Sequence, residues 1–307
     1  MKTKFKSIIN AVSHSFAGAV YAGAVMLIFS NAQAQNLFVS VYAGSEIYEY
    51  TPSGTQSTFS QSGLDGSFGL AFNSAGNLFD ADADESPYPS GSIYSFTPSG
   101  TRSTFATGLK SPNELAFNSA GNLFLADGTI GDIYEYTPSG TRSIFASGLG
   151  NPYGLAFNSA GDLFETDGQG IHEFTPSGTE TTFAAGNDFL GLAFNSAGNL
   201  FAAVDTGYIY EYTPGGVQTT FASGLNSPHE LAFNSAGNLF ESDFGSGNVY
   251  EFTPDGTQST FATGLTGSPI ALAFQNVALP VPEPSTLGLL AVGITAFIVR
   301  RRRSSGA

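Results

Sequence analysis

The chain has 307 residues, with no cysteine, no tryptophan, 28 phenylalanines and 38 glycines. Without cysteine it has neither disulfides nor thiolate metal ligands. Between Gln35 and Pro280 stand 24 acidic and three basic residues (Arg102, Lys110 and Arg142), a formal charge of −21 that repels phosphates and excludes nucleic acid as a partner. Such a surface suits cations, calcium-rich media or simple solubility outside a cell.

At the N-terminus, Lys2, Lys4 and Lys6 form a basic region, followed by a mostly apolar stretch from Phe16 to Phe29 and then Ala32-Gln33-Ala34. This order predicts a secretory signal peptide over residues 1–34, cut by signal peptidase after the small-residue pattern of Ala32 and Ala34. The apolar run is short for a membrane span.

The rest of the chain is dominated by one repeat. Its copies read SFGLAFNSAGNLF (67–79), NELAFNSAGNLF (113–124), YGLAFNSAGDLF (153–164), LGLAFNSAGNLF (190–201), HELAFNSAGNLF (229–240) and a broken IALAF (270–274). The Phe of LAF recurs at positions 72, 117, 157, 194, 233 and 274. A period near 40 built of short strands and Gly-rich turns predicts an all-β chain, a six-bladed β-propeller over residues 35–276. In the unit 153–190, YGLAF is a first strand and Asn158–Gly161 a tight turn. Asp162–Asp167 is a second strand and Ile171–Thr175 a third. Thr175-Pro176-Ser177-Gly178 is a turn with Pro at its second position, and Thr181–Ala184 is a fourth strand. The chain enters at Asn36-Leu37-Phe38-Val39, which matches a second strand, and the missing first strand is Ala271–Phe274. The first of the four-stranded antiparallel blades is therefore a composite of both ends of the domain, which closes the ring.

The pattern of LAF, the Gly turn, LF, Asp and the Pro-x-Gly turn resembles NHL-repeat propellers, and also the gluconolactonase (senescence-marker) and streptogramin-lyase propellers. That resemblance implies the fold, and an axial channel into which the approach to each first strand faces. Metal-dependent members use Glu, Asn and Asp in this region; the streptogramin lyases use a His and acidic groups.

Columns that vary between copies are the candidates for a site. The pair before LAF is Phe68-Gly69, Asn113-Glu114, Tyr153-Gly154, Leu190-Gly191, His229-Glu230 and Ile270-Ala271. The polar pairs fall in blades 3 and 6, opposite each other in a six-bladed ring. Asn113, Glu114, Tyr153, His229 and Glu230 are thus candidate channel residues. Glu114 and Glu230 are candidate ligands for calcium or another divalent cation, and His229, Glu230 and Glu114 candidate acid–base groups; the alternative is a set of polar residues at a solvated channel mouth. The Asp that follows the second strand (Asp82, Asp127, Asp167, Asp205, Asp243) recurs in five blades and is expected to bond the backbone of a neighbouring turn. Asp80, Asp82 and Asp84 form an acidic insertion that is a second candidate calcium site, although Glu85 stands where a calcium loop has Gly. His172 replaces the Tyr of the other blades, a packing or surface substitution.

After Phe274 comes a linker, 277–284, ending in Pro282-Glu283-Pro284. A short apolar helix from Leu287 to Val299 and the cluster Arg300, Arg301, Arg302 and Arg303 are expected within 285–307. This order resembles the PEP-CTERM sorting signal. The resemblance implies an exosortase-type protease as partner, a transient single-pass anchor, and delivery to the bacterial envelope, cell surface or extracellular matrix, with a link to exopolysaccharide or biofilm. The expected function is therefore an exported propeller acting as a binding or structural module for a polysaccharide or envelope protein. The alternative is a lactonase- or lyase-like enzyme working in the channel.

Overall fold

The computed structural model describes residues 35–275, apart from 43, 45, 61, 62, 84–90, 187 and 266. The expected signal peptide with Ala32 and Ala34, Asp84, the Pro282–Pro284 motif, the apolar helix and Arg300–Arg303 lie outside the described residues. Among those described, no helix is long and apolar enough to cross a membrane.

Six four-stranded antiparallel sheets follow one another around a ring. Blade 1 pairs β1 (Leu37–Tyr42), β2 (Ile47–Tyr50) and β3 (Gln56–Ser60) with the last strand of the ring. Blade 2 holds β4 (Ser67–Phe72), β5 (Leu78–Asp82), β6 (Gly91–Phe96) and β7 (Arg102–Leu109). Blade 3 holds β8 (Pro112–Phe117), β9 (Leu123–Asp127), β10 (Asp132–Tyr136) and β11 (Arg142–Ser147). Blade 4 holds β12 (Leu155–Phe157), β13 (Leu163–Asp167), β14 (Gly170–Phe174) and β15 (Glu180–Ala185). Blade 5 holds β16 (Phe189–Phe194), β17 (Leu200–Val204), β18 (Tyr208–Tyr212) and β19 (Gln218–Ser223). Blade 6 holds β20 (Pro228–Phe233), β21 (Leu239–Asp243), β22 (Asn248–Phe252) and β23 (Gln258–Ala262). The last strand, β24 (Ser268–Phe274), returns to blade 1. It pairs with β1 through Leu37↔Phe274 and Val39↔Leu272, so the composite blade expected from the repeat is present. One expected strand is shorter: in blade 4 the regular ladder begins at Leu155, although Tyr153 and Gly154 ahead of it still exchange backbone hydrogen bonds with Thr166, at 2.8 and 3.1 Å.

The repeated turns occupy one face of the ring. In each Asn-Ser-Ala-Gly turn the Asn side chain accepts backbone N–H groups two and four residues on, as Asn158 does from Ala160 and Asp162 at 2.9 Å each. Gly161 closes that turn at a φ of 90°, which only glycine adopts without strain. The loops between second and third strands, and those between blades, lie on the opposite face, where the copies differ.

The core is a stack of blade-to-blade interfaces, each sealed by the same three phenylalanines. The second-strand Phe164 meets Phe183 of its own blade at 5.1 Å and Phe194 of the next at 5.0 Å, edge to face. The same triad recurs at every junction, including the closure, where Phe240 meets Phe261 and Phe274. Edge-to-face ring pairs are favoured electrostatically as well as by the area they bury.

Alternation along the second strand aims one residue at the preceding blade and the next at the following one. In blades 2, 4 and 6 the backward-facing residue is an acid: Asp80, Glu165 and Glu241, all fully buried. Glu165 lies opposite Leu155 and His172, and Glu241 opposite Leu231 and Tyr250, within apolar interblade layers. No carboxyl oxygen of Glu165 or Glu241 has a hydrogen-bond partner among the described residues. Burial first, then the neighbouring Asp167 and Glu180, raises Glu165 to about 9. Burial and Asp82 raise Asp80 to about 8. At neutral pH Asp80 and Glu165 are carried as uncharged acids, and burial with the charge of Asp243 pushes Glu241 the same way.

Candidate functional site at the channel mouth

The first strands enter the blades with a register break. In blade 3 the ladder passes from Pro112↔Asp127 to Leu115↔Leu125, and in blade 6 from Pro228↔Asp243 to Leu231↔Glu241. Such a bulge leaves backbone N–H groups outside the ladder, and buried ones need a partner. Glu114 and Glu230 supply it by folding back, so that Oε1 accepts the N–H of Leu115 at 2.9 Å and of Leu231 at 3.0 Å. In blades 4, 6 and 1 a second-strand hydroxyl takes the same duty. Thr166 accepts the N–H of Gly154, just ahead of the first strand, Ser242 and Ser40 each accept an N–H within theirs, and all three donate to a carbonyl of the next blade, at Leu190, Ile270 and Ser67.

The two glutamates meet across the ring axis and hydrogen-bond to each other. Both are buried, with 6% and 7% of their surface exposed. Burial, followed by the charge of Glu230 and the hydrogen bond with it, holds Glu114 well above the ordinary carboxyl range. Burial raises Glu230 to about 7, against the pull of its hydrogen bonds to Glu114 and Leu231. The pair therefore holds a proton between two carboxyl groups at neutral pH, the expected outcome when two acids share one dry site.

Room for this pair comes from glycine in the preceding blades. A Cβ on Gly191 would lie 2.9 Å from Glu230 Oε2 and 2.5 Å from the His229 carbonyl oxygen. A Cβ on Gly69 would lie 2.3 Å from the Asn113 carbonyl oxygen and 2.8 Å from Glu114 Cα. Glycine thus precedes each acidic blade because nothing larger fits.

Nearer the rim, Tyr153 Oη and His229 Nδ1 are hydrogen-bonded at 2.8 Å, joining blades 4 and 6. Burial lowers His229 to about 4, only partly offset by Asp205, so the imidazole is neutral at pH 7. Burial and the charges of Glu230, Glu114 and Asp205 hold the Tyr153 hydroxyl well above its usual range. Asn151 and Ser227, at φ of 73° and 59°, reverse the chain two residues before Tyr153 and His229 and so aim both into the mouth. His229 packs on Phe244 (5.2 Å), Phe244 on Tyr42 (5.6 Å) and Tyr42 on Phe68 (5.7 Å), a half-exposed aromatic arc reaching round to blade 2.

Of the candidate channel residues, Glu114, Glu230, Tyr153 and His229 are brought together. Asn113 is directed elsewhere: its Nδ2 donates to the Pro152 carbonyl at 2.8 Å and ties blade 3 to blade 4. Asp80 and Asp82 share a face of β5, but Asp80 is bonded to Ser67 Oγ, and Asp82 accepts the N–H groups of Asp65 and Gly66. Four of the five Asp residues of the recurring column bind backbone in the loop that enters their own blade; Asp205 does not, because Val204 takes the last position of its strand and Asp205, one residue further on, accepts the Ser227 hydroxyl. Asp127 takes Lys110 and Ser111, Asp167 takes Gly150, and Asp243 takes Asn226. His172 is buried, its two nitrogens 3.3 Å from Asp167 Oδ1 and 3.0 Å from Glu180 Oε1. Among the described residues, no group of three His, Asp or Glu side chains is arranged to hold a metal ion. Phe68 belongs to the varying column before LAF, but Tyr42 and Phe244 were not expected at the site. They lie on the face where the copies differ, yet Tyr42 reads alone as an ordinary strand aromatic and Phe244 as a turn residue.

The arrangement offers a neutral base, a hydroxyl and a proton-sharing carboxyl pair beneath an aromatic rim. Similar rings are known. The chain aligns with a catalytically inactive virginiamycin B lyase from Staphylococcus aureus solved with quinupristin, at 15% identity over 80% of this chain and 94% of that one, with a TM-score of 0.59. It also aligns with a gluconolactonase from Xanthomonas campestris, at 20% identity over 68% and 79%, with a TM-score of 0.57. At these identities the likeness is one of fold. No curated protein matches the sequence. Residues 280–303 match the PEP-CTERM protein-sorting motif, so the six-bladed propeller is followed in the chain by a signal that implies exosortase-dependent export.

Proposed function

We propose that this protein is a binding or structural module of the bacterial cell surface or extracellular matrix, associated with exopolysaccharide or biofilm. The observation that carries the reading is the sorting motif at 280–303 following directly on a closed ring that ends at Phe274. Most polar groups of the channel face are engaged in holding the ring, as with Asn113 and the Asp column, which fits a scaffold better than an apparatus for turnover. The test is a strain lacking its exosortase. The protein is expected to accumulate unprocessed in the membrane fraction and to disappear from the matrix. Unchanged release and length would remove the reading.

One cluster favours a second reading, an enzyme of the lactonase or lyase type. Glu114 and Glu230 supply an acid and a base from one pair, and Tyr153 and His229 border the same space. The carboxyl pair would also accept a divalent cation such as calcium in place of its shared proton. Sugar lactones and cyclic esters are the substrates to screen, with and without calcium. Turnover lost in Glu230→Gln would establish an enzyme; calcium-dependent polysaccharide binding without turnover would establish the module.

A further inference from the structure

The face that carries the repeated turns has grooves at the blade junctions, and two of them are the same groove twice. Between blades 4 and 5 the lining includes Ser159, Glu173, Phe183 and Phe194; between blades 5 and 6 the corresponding residues are Ser196, Glu211, Phe221 and Phe233. The first has a volume of about 470 Å³ and the second about 240 Å³.

Two departures from the repeat set the larger groove apart. The residue before the second-strand Leu is Asn in the other five blades, and its amide donates to the third-strand glutamate in four of them: Asn36 to Glu49, Asn122 to Glu135, Asn199 to Glu211, and Asn238 to Glu251, at 2.6–2.7 Å. Blade 4 has Asp162 instead, which accepts from Asn158 and leaves Glu173 without that donor. The charge of Asp162 adds to the burial that raises Glu173. The turn between third and fourth strands is Thr-Pro-Ser-Gly in blades 1 to 4 and Thr-Pro-Asp-Gly in blade 6, but Thr213-Pro214-Gly215-Gly216 in blade 5. The backbone does not need this glycine: the positive φ belongs to Gly216, and a Cβ on Gly215 would meet nothing closer than Thr213 Oγ1 at 3.9 Å. Both departures act on one groove. One frees a carboxylate and the other removes a side chain from the wall.

We propose that the groove between blades 4 and 5 is a binding subsite for the sugar units of an uncharged polysaccharide, which deepens the matrix-module reading and rests on it. Phe183 and Phe194, both half-buried, offer ring surface to the C–H face of a pyranose. Glu173 accepts hydrogen bonds from neighbouring sugar hydroxyls, and Ser159 and Thr213 supply hydroxyls that both donate and accept. With Asp162 and Glu173 together and no basic residue in the lining, an anionic polymer is repelled. The smaller copy between blades 5 and 6 provides a second contact on the same face, and two weak sites on one polymer gain affinity through effective concentration.

The test writes the repeat's own residues back into the groove. Asp162→Asn with Gly215→Ser restores what other blades already carry, so the fold is retained, checked by an unchanged thermal midpoint. Gly215→Trp blocks the groove outright. Binding is measured by calorimetry and affinity electrophoresis against dextran, a soluble β-1,4-glucan, a galactomannan and polygalacturonate. The intact propeller is expected to bind at least one neutral polymer and not the polyuronate. The double variant and Gly215→Trp should each lose tenfold or more in affinity, and Ser139→Trp, the same change in the corresponding turn of blade 3, should lose nothing. No binding to any neutral polymer, equal binding of the polyuronate, or full binding by both groove variants would each overturn the proposal. Binding lost only in Glu230→Gln would also overturn it while leaving a matrix module that uses its channel.

Discussion

Glu114 and Glu230 are alike in sequence and in position, and burial raises both; the charge of Glu230 raises Glu114 further, so the two acids resist ionising together. Neither could sit there without Gly69 and Gly191, whose missing side chains leave the space that the bulged strands fill. Gly191→Ala is therefore the most informative single change. Its Cβ would press on both the His229 carbonyl and the Glu230 carboxyl, and overpacking of this kind destabilises by about 1–3 kcal/mol. The same change at Gly215, on the opposite face, should shift stability by less than ~0.5 kcal/mol, and urea unfolding of the two variants checks the contrast. The shared proton has its own readout. In the infrared difference between the parent and Glu230→Gln, which cancels the bands of Asp80, Glu165 and Glu241, a hydrogen-bonded carboxylic acid band should be present at pH 6 and fade as pH rises through about 7. No difference band at pH 6 would mean that Glu230 holds no proton there.

At the scale of the strand, the second strand of each blade does three jobs that its sequence shows unequally. The Leu-Phe start was legible, because it recurs six times with the alternation of a buried strand. So was the closing Asp as framework, in the four blades where it ends the strand; Asp205, counted with them, lies one residue past Val204 and bonds Ser227 instead. The position between, occupied by Val39, Asp80, Leu125, Glu165, Ala202 and Glu241, was not legible. An acid there reads as exposed, and Asp80 beside Asp82 and Asp84 read as part of a calcium loop. Only packing reveals that this position faces the layer shared with the preceding blade. The consequence is a pH dependence of stability. The folded pKa values of Asp80 and Glu165, about 8 and about 9, lie above those of the unfolded chain, so the folded protein binds more protons than the unfolded one between about pH 4 and 9. Their contribution is fully present below the unfolded values and is lost as pH rises through the folded ones, at about 1.4 kcal/mol per pH unit for each group in that window. Glu165→Gln and Glu241→Gln cannot ionise. Each is expected to be no more stable than the parent at pH 5 but more stable at pH 9, with thermal midpoints at the two values as the measurement. Curves that stay parallel would show that these carboxyls are solvated in the native state.

For the whole molecule the decisive contact joins residues more than 230 apart in sequence. The strand β24 completes blade 1, Phe274 completes the last of the Phe triads, and Gln275 N–H donates to the Asn36 carbonyl just beyond them. Ring closure was legible because a lone second strand at one end of the repeat and a lone first strand at the other can be satisfied only by each other. The channel mouth was half legible. The opposed glutamates followed from counting blades, whereas the bond between Tyr153 and His229 depends on how narrow the channel is, which no column of the repeat encodes. The closure also fixes where the chain can be cut. The match to the sorting motif begins at residue 280, five positions past Gln275, whose bond to Asn36 is the last ring contact among the described residues. Processing near the Pro282–Pro284 motif therefore leaves every paired strand in place, and export need not be bought with stability. A chain ending at residue 278 is expected to keep the thermal midpoint and the cooperative transition of residues 35–307. A chain ending at residue 267 loses β24, exposes the edge of β1 and opens the core layer that Leu272 and Phe274 fill. Because an unpaired apolar strand edge is a template for association, this shorter chain should unfold at lower temperature, lose its single transition and aggregate. Differential scanning calorimetry with light scattering on the three chains would distinguish these outcomes. An unchanged transition in the shortest chain would mean that blade 1 holds without its fourth strand and that the ring does not depend on its closure.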